Sequence, residues 1–119
     1  MIKYRHHLRF VKGDINAGNF DNFATITYEG SLPSAPIKGL VIVLADLVEF
    51  EISLVTFICD EGIYETHSHI DLLQREDKET GLILEAYEIA RYVKYGFVLT
   101  SPDAITKEEI ESELPDVLV

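Results

Sequence analysis

The chain has 119 residues, 47% of them hydrophobic and 26% charged, with a formal net charge of −11. That length and apolar share fit one folded domain, residues 1–119, and exclude an intrinsically disordered chain. The charge argues against non-specific binding to nucleic acid or to a membrane, since both need a cationic surface; it fits a basic protein partner or a divalent cation.

Cys59 is the single cysteine, so no internal disulfide can form and a disulfide-stapled secreted scaffold is excluded. It follows Phe57 and Ile58 and is expected to pack as a small apolar side chain. The opening Met-Ile-Lys-Tyr-Arg-His-His has no apolar run after its basic residues and does not read as a signal peptide. The most apolar stretch, Leu40 to Cys59, is broken by Asp46, Glu49 and Glu51. It therefore falls well short of the ~20 apolar residues that a membrane span needs. A cytoplasmic location is the expectation.

Residues 2–12 read as a strand, because Ile2, Tyr4, Leu8 and Phe10 alternate with Lys3, Arg5, His7 and Arg9. Residues 14–22 (DINAGNFDN) read as a long loop rich in Asp, Asn and Gly. A second strand over 23–29 pairs with the first as an antiparallel hairpin. Residues 30–39, punctuated by Pro33 and Pro36, form the next loop.

Residues 40–60 admit two readings. Asp46, Glu49, Ser53, Thr56 and Asp60 recur at helical spacing, which would make a polar stripe on a buried helix. Alternatively, a fully buried strand over 40–45 precedes a second over 48–58, where Phe50, Ile52 and Leu54 alternate with Glu49, Glu51 and Ser53. The abundance of Val, Ile, Phe and Thr favours strand over 47–58. A helix over 36–46, with Pro36 in its first turn, stays open. The turn Asp60-Glu61-Gly62 then leads into a strand over 63–72, completing a hairpin.

Residues 80–95 show the clearest helical periodicity, with Leu82, Ala86, Ile89, Ala90 and Val93 on one face and Gly96 at the end. Thr106 and Glu109 have the spacing of a capping box, which predicts a short helix over 107–113 that Pro115 stops. Strands followed by helices predict an α+β fold. The expected architecture is a mainly antiparallel sheet of four or five strands, the long 80–95 helix on one face, and a short C-terminal helix.

Three groups of residues carry possible chemistry. Lys3, Arg5, His7 and Arg9 share one side of the first strand and form a cationic stripe on an anionic chain. The stripe serves either as an anion site or as ion-pair partners for a neighbouring strand, with Glu49 and Glu51 as the expected carboxylates. Asp14, Asn16 and Asp21 place oxygen side chains around Gly18, a candidate calcium loop. That loop is similar to the start of an EF-hand loop. It departs from the family at Gly18 and Asn19, and it has Thr25 where a bidentate Glu would stand.

Glu65, His67, His69 and Asp71 share one strand face, and paired imidazoles at this spacing can bind zinc or iron. The His-x-His resembles that of amidohydrolases and cupins. The chain is too short for an amidohydrolase barrel, and the accompanying cupin motif is missing.

No phosphate-cradling glycine loop or supported Ser-His-Asp arrangement is present. The sequence therefore points first to a non-enzymatic acidic binding protein working through protein–protein contact, such as an immunity protein, antitoxin or small inhibitor of a basic partner. The alternatives are a small calcium-binding protein using the 14–21 loop and a metal-dependent enzyme using His67 and His69.

Overall fold

A computed structural model describes residues 1–14, 17–45, 48–72, 85–101 and 107–117. Strands β1 (Ile2–Asp14), β2 (Asn19–Leu32), β5 (Leu54–Ile58), β6 (Ile63–Asp71) and β7 (Val98–Ser101) make one sheet in the order β5-β6-β1-β2-β7. Strands β3 (Val41–Ala45) and β4 (Val48–Glu51) form a separate two-stranded sheet. Helices α1 (Glu85–Val93) and α2 (Lys107–Val117) complete an α+β fold. No helix among the described residues is long and apolar enough to cross a membrane.

The alternation in β1 decides which face of the sheet is covered. Tyr4, His6, Leu8 and Phe10 are buried on one side, and Lys3, Arg5, His7 and Arg9 take the other. The buried side meets Ala24 and Ile26 of β2, Val48 and Phe50 of the small sheet with Ile52 just beyond it, and Ile89, Ala90 and Tyr92 of α1. Phe97 sits at the centre, with edge-on ring contacts to Phe50 at 5.8 Å and to Tyr92 at 5.6 Å. The Tyr92 hydroxyl donates to the Glu49 carbonyl at 2.9 Å, which ties α1 to β4. Ile110 joins the same core from α2.

The pairing is mixed: β1 runs antiparallel to β2 but parallel to β6. The single long helix expected over 80–95 is not supported. Residues 80–84 lie outside the described residues, and α1 ends at Val93 in a turn closed by Gly96, whose φ of 110° a side chain rarely adopts. The C-terminal helix has 11 residues against 9 for α1. It runs past Pro115, which was expected to stop it.

The expected loop over 14–22 is shorter than its composition suggests. The β1–β2 ladder continues to Asp14↔Asn19 and leaves 15–18 as the connection. The helix expected over 36–46 does not form in its described part, 36–45; Val41, Ile42 and Val43 pair with β4 instead. β3 is half-exposed rather than fully buried. The strand expected over 48–58 breaks at Ile52 and Ser53, where the chain leaves the small sheet and enters the large one. Cys59 is exposed, because it falls in the β5–β6 turn.

Candidate functional site

The uncovered face of the large sheet gathers most of the residues singled out in the sequence. Register explains the grouping, since Arg5 lies opposite Glu29 on β2 and opposite Glu65 on β6. Its guanidinium donates from Nη1 to Glu65 Oε1 at 2.8 Å and from Nε to Glu29 Oε1 at 3.3 Å. Glu61, in the β5–β6 turn, adds a third carboxylate at 3.5 Å. The expected partners Glu49 and Glu51 are elsewhere, because β4 belongs to the other sheet.

His7 lies opposite Thr27 and His67. Its ring stacks on His67 with centroids 4.9 Å apart, and its Nε2 is 3.5 Å from Glu65 Oε1. Burial pushes the Glu65 carboxyl up, but hydrogen bonds from Arg5 and His7 outweigh it and hold the group below its ordinary value. Burial, with the nearby His7, lowers His67. A shallow groove of about 510 Å³ runs beside this cluster, between Arg5 and His7 on one side and Val98 and Thr100 on the other.

Chemically, the cluster is self-neutralising. An anion approaching Arg5 would have to displace carboxylates already bonded to it. Lys3 and Arg9 are exposed on the same face. His67 and His69 also share it, with His69 the more exposed. Among the described residues, no three His, Cys, Asp or Glu side chains converge as a metal-binding group. Of the calcium candidates, Asn16 lies outside the described residues, and Asp14 and Asp21 are described only as strand backbone.

Beneath this face lies a residue that the sequence reading passed over. His6 is fully buried between two hydroxyls, with Nδ1 2.7 Å from Thr66 Oγ1 and Nε2 2.7 Å from Ser68 Oγ. A neutral imidazole donates from one nitrogen and accepts at the other, so the two hydroxyls together satisfy it. Its ring stacks on Phe50 at 3.8 Å. Burial, reinforced by the nearby His67 and His7, pushes His6 down to about 3. The Ser68–His6 contact has the form of a nucleophile and its base. An imidazole held so low cannot take a hydroxyl proton at neutral pH, and its second partner is Thr66 rather than a carboxylate. The pair thus lacks the carboxylate that orients the base in a catalytic triad. The signal was present, because His6 falls on the apolar phase of β1, between Tyr4 and Leu8.

A second concavity, of about 340 Å³, opens between β4 and the far end of β6. Phe50 and Ile70 contribute apolar surface to it, and Glu49, Glu51, Ser53 and His69 contribute polar groups. Glu49 and Glu51 are exposed and make no ion pair among the described residues. Compared with known proteins, the chain matches no family, no curated protein and no solved structure.

Proposed function

We propose that the protein is a non-enzymatic acidic binding protein that acts through contact with a basic protein, in the manner of an immunity protein, antitoxin or small inhibitor. One observation carries the reading: two carboxylates, Glu49 and Glu51, make no ion pair among the described residues and line an open cleft, whereas the Arg5 guanidinium is already held by three carboxylates. The carboxylates of this cleft are thus available to a cationic group. Exposed Glu108 on α2 and the overall charge of −11 extend the same field, which speeds association with a basic surface and sets its orientation.

The test is affinity capture from host lysate at low and at high salt, followed by identification of the retained proteins. A discrete basic protein, held at low salt and released at high salt, is the expected result. Retention of neutral or acidic proteins, insensitive to salt, would overturn the reading.

A further inference from the structure

The edge of β6 changes character halfway along its length. On one side β6 is paired with β1 from Tyr64 to Asp71. On the other, β5 accompanies it only from Ile63 to His67. At that point Ser53 closes the ladder, with its N–H and its hydroxyl both donating to the His67 carbonyl at 2.8 Å. Beyond it, no strand among the described residues pairs with that side of Ser68, His69 and Ile70.

Backbone groups two residues apart in a strand project to the same edge. The His67 carbonyl points toward Ser53, so the N–H and C=O of His69 point the same way, past the end of β5. The cleft between β4 and β6 lies there, with Ser53, Ser68, His69 and Ile70 in its walls. A donor and acceptor that meet no strand among the described residues, set in an open cleft, are a template for an added strand. The cleft also specifies what that strand carries. Phe50 and Ile70 offer apolar surface, and Glu49 and Glu51, without an ion pair among the described residues, stand beside it.

We infer that this cleft receives an extended segment of a basic partner, which continues the line of β5 along β6 and places Lys or Arg side chains against Glu49 and Glu51. The inference rests on the proposed function and deepens it by naming where and how the partner docks. At about 340 Å³ the cleft is near the lower end of small-molecule sites, about 300–1,000 Å³, so it suits a narrow segment rather than a folded surface. A second copy of this chain is disfavoured as occupant, because each copy carries −11.

The probe is a capped peptide of alternating Lys and Val, titrated into the isotope-labelled protein and followed by amide NMR. The amides of Ser68, His69 and Ile70 should shift, and the His69 amide should gain protection from exchange. A Glu49→Gln, Glu51→Gln double variant changes only exposed groups, so its fold should persist, checked by circular dichroism. It should weaken binding by about tenfold, as for two exposed charge pairs. Methylating the peptide backbone nitrogens that face β6 should abolish the His69 shift, since the added strand then loses its donors.

Equal binding of the methylated peptide, equal binding by the double variant, shifts centred on Glu108 instead of His69, or no binding at all would each overturn the inference. So would self-association of the chain through this edge, seen by sedimentation. The two readings fail separately. A basic host protein captured equally by wild type and double variant would leave the proposed function standing and remove the cleft. Engagement of the peptide at His69 with no basic host partner would do the reverse.

Discussion

Acidification should destabilise this protein through His6 before its carboxylates begin to protonate. The imidazole is fully buried, bonded to two neutral hydroxyls, and pushed from its ordinary 6.5 down to about 3. In the unfolded chain it gains a proton as the pH falls through 6.5; in the fold it stays neutral until about 3. The stability it contributes is therefore complete above 6.5 and is lost progressively from there toward 3. One proton taken up only by the unfolded state costs about 1.4 kcal/mol per pH unit. At about pH 5 the loss from this residue is about 2 kcal/mol, a large share of the ~5–15 kcal/mol that holds a typical domain together.

His67, also lowered, adds to the slope in the same direction, and Glu65 adds to it only below its ordinary 4.5. The His6 share is isolated by urea unfolding of the wild type and a His6→Gln variant across this range, followed by circular dichroism. The stability gap between the two should narrow by about 2 kcal/mol between about pH 7 and about pH 5. In the wild type, the His6 ring signals should not titrate over the same interval. Parallel stability curves, or a His6 ring that titrates near its ordinary value, would refute the reasoning.

Other substitutions probe separate contacts. Arg5→Met should raise the Glu65 carboxyl, read by carbon NMR; an unmoved Glu65 would contradict the assignment. Gly30→Ala should cost about 1–3 kcal/mol in thermal unfolding, because a Cβ there would lie 2.8 Å from Tyr28 and 2.9 Å from Tyr4. Tyr92→Phe removes the bond to the Glu49 carbonyl and should cost about 1 kcal/mol in urea unfolding. Cys59→Ser should shift stability by no more than about 0.5 kcal/mol, and the wild-type thiol should react with a maleimide without unfolding.

What the sequence made legible was local. The period of two in β1 assigned its cationic face and all but His6 of its apolar face, and the β5–β6 turn was plain from Asp60, Glu61 and Gly62. The start of α2 at Lys107 followed from the capping spacing. What stayed hidden was set by distant neighbours. Arg5 met Glu29 and Glu65 rather than Glu49 because β6, not β4, lies beside β1, and no local periodicity encodes which strand arrives there. The break at Ile52 and Ser53 was masked because the alternation of apolar and polar residues continues across it to Leu54, which is nonetheless exposed in β5. Counting His6 among polar residues concealed its place on the buried phase, where its partners are supplied from Thr66 and Ser68.

The parallel seam between β1 and β6 also bears on how the chain folds. β1 and β2 are adjacent in sequence and can zip locally, whereas the bonds from His6 to β6 span 60 and 62 residues. Long-range parallel pairing pays its loop-closure entropy before contacts reward it, so docking of β6 carries a larger entropic cost than the β1–β2 hairpin. His6 makes that step selective. If β6 arrived one residue out of step, Thr66 and Ser68 would turn away and Glu65 or His67 would face the core, leaving a buried imidazole without partners. The histidine thus proofreads the alignment of the two strands, rejecting near-miss pairings that apolar side chains alone would tolerate.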